Sequence, residues 1–226
     1  MSSRPGGTSR RATRRPIVVV AGESANDREV LRCFLEELCP EMNGRIVFLN
    51  DKVPLRDAGE ENLKKRVARF AAQVRARAAR ERASIAAVFV HEDLDEVDSG
   101  RYDLVHRRVQ RALARELEYA YYILAVWEIE AWLLLFPEEV AAFATKWQVP
   151  SGRRGRDTGR FQDPKRIFKE EISRAGTTYR ESDAPAIANR IVAHNALSSQ
   201  SGSNRSYEAF RSDAADRCLQ LAETSG

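Results

Sequence analysis

Short apolar runs alternate with longer stretches whose apolar residues recur every three or four positions, and the two patterns trade places along the first two thirds of the chain. Runs rich in β-branched and aromatic residues predict strands at residues 17–21 (IVVVA), 45–49, 85–90 (IAAVFV) and 121–127. The segments between them predict helices. One covers residues 26–38, with Val30, Leu31, Phe34, Leu35 and Leu38 on one face and Ser24 or Asn26 as cap. A longer helix is striped by Leu63, Val67, Phe70, Val74 and Ala78, and a third, over 102–118, by Val105, Val109, Leu113 and Leu117. Strands alternating with helices of this length form parallel βαβ units with right-handed crossovers, so the expected class is α/β, with a mostly parallel four-stranded sheet flanked by helices.

The last third changes character. Residues 128–136, 138–147, 164–175, 184–194 and 207–222 all read as helix, separated by the basic loop Ser151-Gly152-Arg153-Arg154-Gly155-Arg156 and a Ser/Gly-rich linker over 198–203. Residues 1–15 carry five arginines among Ser, Gly, Thr and Pro, with no acidic residue, which predicts a disordered basic arm. The expected organisation is that arm, an α/β domain over 16–136, and a helical extension over 137–226 packed on it.

Composition narrows the class. The chain has 226 residues, of which 43% are apolar, enough for one well-buried domain. Its most apolar stretch, 119–136, is broken by Glu128 and Glu130 and falls short of the roughly 18 uninterrupted apolar residues of a membrane span. With no export signal pattern near the amino terminus, a cytoplasmic protein is expected, without membrane association. Cys33, Cys39 and Cys218 form no CxxC pair, so neither a disulfide framework nor a zinc site is expected. The formal net charge of +4 suits a polyanionic partner without demanding one. Glycine-rich phosphate loops and dinucleotide fingerprints are absent from the sequence, so any ATP-driven step would need a partner.

The candidate chemistry lies just after the strands. The third strand runs straight into His91-Glu92-Asp93-Leu94-Asp95-Glu96; Glu23 follows the first strand, and Glu128 and Glu130 follow the fourth. If the sheet is parallel, all of these lie on its carboxyl edge, where open α/β sheets bind ligands. Convergent carboxylates repel one another unless a cation neutralises them, and hard divalent cations prefer oxygen ligands. Asp93, Asp95 and Glu130 are therefore expected to hold Mg2+ or Mn2+, with Glu23 in proton transfer or as a further ligand. Bland readings stand beside these: Glu23 could serve only the dipole of the next helix, the Asp-x-Asp pair could be a turn, and His91 could be a ligand, a proton shuttle or a structural group. Glu128 and Glu130 are about 200° apart around a helix axis, so one is expected in solvent and Glu130 against the rim. Arg153, Arg154, Arg156 and Lys165 are expected to follow a phosphate backbone.

The order of a Glu after strand one, Asp-x-Asp after strand three and Glu after strand four resembles the TOPRIM fold of topoisomerases, bacterial primases and overcoming-lysogenization-defect type nucleases. VAGESANDREVL (Val20 to Leu31) is similar to that family's Glu-Gly-x-x-Asp segment through Glu23 and Asp27, with Ser24 in place of the usual glycine. WEIEAWLLLFPEEV, DPKRIFKE and SDAPAIANRI resemble a bacterial group of TOPRIM-like proteins often encoded beside ATPases in phage-defence loci. The resemblance covers roughly residues 16–222. It implies a TOPRIM-like Rossmannoid fold, metal binding by the Asp-x-Asp pair, acid or base work by Glu23, nucleic acid as substrate and an ATPase partner, with a homodimer left open. Three functions follow as expectations: a metal-dependent nuclease, a non-catalytic TOPRIM module that binds nucleic acid or a partner protein, and a nucleotide-binding or nucleotidyl-transfer domain.

Overall fold

The computed structural model describes residues 15–223; residues 1–14 of the expected basic arm lie outside the described residues. Four parallel strands, β1 (Ile17–Ala21), β2 (Ile46–Leu49), β3 (Ile85–Asp93) and β4 (Ala120–Ala125), pair in the order β2-β1-β3-β4. The helices are α1 (Ala25–Leu38), α2 (Glu60–Glu81), α3 (Gly100–Glu116), α4 (Glu130–Leu133), α5 (Pro137–Ala141), α6 (Pro164–Arg166), α7 (Ala184–Ala193) and α8 (Arg205–Glu223); α6 continues into a π-helical stretch, Ile167–Ile172.

Successive residues of a strand point to opposite faces, and the core divides by that parity. Val18, Val20, Ala87, Phe89 and Ile123 pack with Phe34 of α1, Trp132 of α4, Ile187 of α7, and Tyr207 and Phe210 of α8. Val19, Val88, Val90, Tyr122 and Leu124 face the other way, onto Phe70 and Val74 of α2 and Val109 and Leu113 of α3. The helical extension thus supplies one of the two layers that cover the sheet, and a single apolar cluster joins it to α1 and the strands.

The observed elements differ from expectation where tertiary contacts override periodicity. β3 runs three residues past the apolar run, taking His91, Glu92 and Asp93 into the ladder opposite Ile123, Leu124 and Ala125. The helix expected over 128–136 shrinks to α4 because its last turn is closed by tighter bonds, Leu135 N to Trp132 O and Phe136 N to Leu133 O, and Pro137 cannot continue it. The one expected over 138–147 stops at Ala141. The backbone at Lys146 turns through the left-handed region at φ 72°, and Trp147 drops into the core beside Phe168 and Tyr179. The cysteines also depart from expectation: Cys39 and Cys218 form a disulfide with Cα atoms 5.3 Å apart. The two residues are 179 positions apart, and only the docking of α8 beside the end of α1 brings them together.

The expected Ser/Gly linker is a strap. Ser201 N donates to Leu135 O at 2.7 Å, Ser203 N donates to Arg156 O, and Thr158 N donates to Ser203 O. Gly202 sits at φ 94°, where a Cβ would lie 2.0 Å from Arg156 O, so only glycine fits this close approach. Beyond it, Asn204 Oδ1 accepts from the backbone N of Ser206 and Tyr207, capping α8, and from Ser206 Oγ. Ser206 Oγ accepts in turn from Val126 N at 2.9 Å and Trp132 Nε1 at 2.8 Å, tying α8 to the end of β4 and to α4. Replacing Ser206 with Ala strands two buried donors, and each unsatisfied group costs about 1–3 kcal/mol. Urea unfolding of Ser206→Ala is expected to show a loss of about 2–6 kcal/mol; an unchanged midpoint would mean that the hydroxyl does not pin the extension.

Candidate functional site

The strand order reverses direction between β1 and β3, and the carboxyl ends of these two strands open the crevice where such sheets bind ligands. After β1 the chain turns at once into α1. Ser24 caps the helix, its Oγ accepting from Asp27 N at 3.1 Å while Asp27 Oδ2 accepts from Ser24 N at 2.8 Å. That reciprocal box holds the intervening turn and leaves Glu23 facing the rim. Glu23 Oε1 accepts from the backbone N of Asp93 at 3.4 Å, and Oε2 from Lys52 Nζ at 2.5 Å. Glu23 and Asp93 therefore meet across the point where the topology switches.

The alternation of β3 sorts the next three ionisable residues. His91 and Asp93 turn to the α1 side; Glu92 turns to the α2 and α3 side. His91 is fully buried, with Nδ1 4.0 Å from Asp27 Oδ2 and Nε2 3.4 Å from Asp93 Oδ1, and burial lowers its pKa so that the neutral ring is favoured. Asp93 is held well above the ordinary carboxylate range by burial first, then by the negative charges of Asp27, Glu130 and Glu23. Its Oδ1 is buried without a hydrogen-bond partner among the described residues. Glu92 does different work. It accepts from Leu55 N, Arg56 N and Tyr122 Oη at 2.9, 2.9 and 2.7 Å, locking the loop after β2 onto β3. Burial pushes its pKa up to about 7 against the help of those three donors.

Asp95 does not join Asp93. Its backbone sits in the left-handed region at φ 59°, and the side chain is 66% exposed, paired with Arg56 Nη1 at 2.6 Å. Arg56 also donates to the carbonyl of Asp93, so one guanidinium spans the turn.

Glu128 and Glu130 are both buried, at 6% and 2% exposure, which corrects the expectation that one of them faces solvent. The helical-wheel argument fails because Glu128 precedes α4 and lies off its cylinder. Lys165 answers both: its Nζ is 3.0 Å from Glu128 Oε2 and 3.9 Å from Glu130 Oε2, and its backbone N donates to Glu128 Oε1 at 2.6 Å. Tyr179 Oη donates to Glu130 Oε1 at 2.8 Å. Burial, followed by the charge of Glu128, raises the pKa of Glu130. On Lys165 burial pulls downward, but Glu130 and Glu128 outweigh it and hold the ammonium charged.

Lys165 thus belongs to the acidic rim. Among the other expected phosphate contacts, Arg153 is bidentate on Glu171 at 2.6 and 2.9 Å and stacked over Phe161, and Arg154 pairs with Glu138 at 2.8 Å. The Arg156 side chain is exposed. The residues that sequence reasoning left out of the site are Asp27, Lys52 and Tyr179. Asp27 belongs to the match with the Glu-Gly-x-x-Asp segment but is given no place in the expected site; Lys52 and Tyr179 arrive from distant segments with no local signal.

Five carboxylates (Glu23, Asp27, Asp93, Glu128 and Glu130) thus line one edge with Lys52 and Lys165 among them. Buried excess negative charge has to be met by protons or a bound cation. The unpartnered Asp93 oxygen is the hard donor suited to a divalent ion, and Glu23 joins it only by giving up Lys52, whereas Asp95 is engaged by Arg56 and Glu130 by Lys165 and Tyr179. Among the described residues, the one close trio of Cys, His or carboxylate groups within 4.8 Å of one another is Cys39, Glu41 and Cys218, away from this rim, and its two sulfurs are taken up by the disulfide. No family model, curated protein or solved structure matches the chain.

Two outcomes follow. The folded pKa of Glu92, about 7, lies above its ordinary 4.5. Its contribution to stability is therefore complete below the ordinary value and is lost as the pH rises through 7. The Glu92 carboxyl carbon is expected to titrate by 13C NMR with a midpoint near 7, and a midpoint near 4.5 would contradict the buried placement. Lys165→Met removes the counter-charge of Glu128 and Glu130, so at pH 8 it is expected to cost about 3 kcal/mol in denaturant unfolding. The deficit should shrink as the pH falls and Glu130 takes up a proton; a deficit constant with pH would mean that Lys165 acts through packing alone.

Proposed function

We propose that this chain is a metal-dependent nuclease of the TOPRIM type that cleaves phosphodiester bonds with a divalent cation at the carboxyl edge of its sheet. What supports the reading above all is the meeting of Glu23 and Asp93 at the topological switch, with a buried Asp93 oxygen left unpartnered. The all-parallel sheet puts the acidic residues after β1, β3 and β4 on one edge, in the order the resemblance calls for. Asp93 and Glu23 would hold Mg2+ or Mn2+, and Glu130 stands beside them with Lys165 as its partner. When bound, such an ion polarises a phosphoryl oxygen and lowers the pKa of water.

The chain's own groups have distinct tasks. His91, neutral and buried, sits between Asp27 and Asp93, with Nε2 3.4 Å from Asp93 Oδ1. Glu23, at the rim and within reach of Lys52, is placed to hold or pass a proton at Oε2. Lys165 keeps the charge of Glu128 and Glu130 from accumulating beside the reacting phosphate. No Walker-type loop occurs in the sequence, so an ATPase would act from a separate chain, in keeping with the resemblance to TOPRIM-like proteins of phage-defence loci.

A second reading is favoured by a specific observation. Lys165 and Arg56 already answer Glu128, Glu130 and Asp95 internally, as in a non-catalytic TOPRIM module whose rim is structural. The two readings separate in a cleavage assay on single-stranded, duplex, supercoiled and RNA substrates with Mn2+ or Mg2+. The nuclease reading expects cleavage that Asp93→Asn abolishes and Glu23→Gln lowers by about a hundredfold or more. Asp95→Asn should have the smaller effect. Cleavage undiminished in Asp93→Asn, or nucleic-acid binding that survives chelation with no cleavage even beside an ATPase, would favour the structural module.

A further inference from the structure

At the opposite end of the sheet, where β1, β2 and β3 begin, lies a cavity of about 680 Å3 that the acidic rim does not touch. Arg15, Arg45 and Arg217 line it, with Glu41 as the one carboxylate in the wall. The three arginines come from remote parts of the sequence: the entry to β1, the entry to β2 and the middle of α8. Arg45 is fastened to the frame, its Nε donating to Pro16 O at 2.7 Å and its Nη1 to Glu41 O at 2.9 Å. Burial, together with the neighbouring charges of Arg15 and Arg217, draws the Arg45 pKa below its ordinary value, so these cations feel one another. Arg217 is only 6% exposed; its guanidinium lies 3.7 Å over the Tyr119 ring, Nη1 donates to Gln220 at 2.8 Å, and Nε is buried with no partner among the described residues.

Three guanidinium groups around a cavity whose wall has a formal excess of two positive charges make an arrangement completed by an anion. Guanidinium groups match phosphate and carboxylate oxygens in geometry. The excess of two selects the phosphomonoester, which is close to dianionic at neutral pH, over a single carboxylate. The volume lies within the roughly 300–1,000 Å3 of small-molecule sites, more than a bare phosphate requires. The rest of the wall includes Pro16, Pro40, Ile85 and Leu221, apolar surface suited to the body of an organic phosphate. We propose that this cavity is a second ligand site, which binds the terminal phosphate of a nucleotide-sized phosphomonoester through Arg15, Arg45 and Arg217. Its source is either a free mononucleotide or the phosphorylated end of a nucleic-acid strand.

The test uses the full chain in excess EDTA, so that no divalent ion occupies the carboxylate rim and the result is independent of the nuclease reading. Isothermal titration compares adenosine 5′-monophosphate with adenosine, and a short DNA strand carrying a 5′-phosphate with the same strand ending in a hydroxyl. The phosphorylated member of at least one pair is expected to bind at least about tenfold more tightly than its counterpart. The pair that shows the difference identifies the source. Arg217→Met and Arg15→Gln should each erase that preference; Arg15 is exposed and its variant should keep the native melting temperature, so a folding defect in the other does not blunt the result. Equal affinity for phosphorylated and unphosphorylated probes, or a preference that persists in Arg15→Gln and in a folded Arg217→Met, would overturn the proposal.

Discussion

A carboxylate taken out of water needs a proton, a cation or a set of hydrogen-bond donors, and the carboxyl edge of this sheet makes that demand several times within a small space. Much of the molecule's arrangement follows from how each demand is met. Glu92 is met by two backbone amides and a tyrosine hydroxyl, which fixes the loop after β2. Glu128 and Glu130 are met by Lys165 and Tyr179, which fixes α6 and the segment leading to α7. Asp27 is met by the cap of α1. At this edge, Asp93 Oδ1 is buried without a hydrogen-bond donor among the described residues. The site is thus the place where internal neutralisation stops.

The same constraint explains why the helical extension is more than an appendage. The segment carrying Lys165 and Tyr179 supplies the charge and the hydroxyl that the strand ends lack. Trp132, Tyr207 and Phe210 then stack against one another within the layer over the sheet. Electrostatic and apolar demands are served by one docking event. Truncating the chain after α4 would expose both the apolar face of the sheet and two buried glutamates.

The four strands and helices α1, α2 and α3 were legible because each depends on a local pattern: apolar runs for the buried strands, and a three-to-four repeat for the helices. What was not legible depends on residues far apart. β3 continues through His91, Glu92 and Asp93 because β4 offers it a ladder, although a polar run reads as a loop. The disulfide between Cys39 and Cys218, the strap at Gly202 and the pairing of Lys165 with Glu128 and Glu130 join positions with no spacing signal. Asp-x-Asp suggested a pair, but the left-handed backbone at Asp95 and the reach of Arg56 separate the two side chains. Glu23 and Asp93 were placed correctly at one edge because strand polarity alone determines that position. The TOPRIM resemblance rests on the order of these residues.

The parity of β3 has a further meaning for how this protein can change over time. Glu92 secures a loop on one side of the sheet, while its neighbours His91 and Asp93 are buried on the other, on the side of α1. Inserting or deleting a single residue upstream in the strand would exchange these assignments, placing the loop's anchor on the α1 side and an imidazole under α2 and α3. The crevice can therefore be altered by substitution, or by lengthening the loops beyond the strand ends, without disturbing Glu92, whereas a change in the length of β3 by an odd number of residues would disturb it.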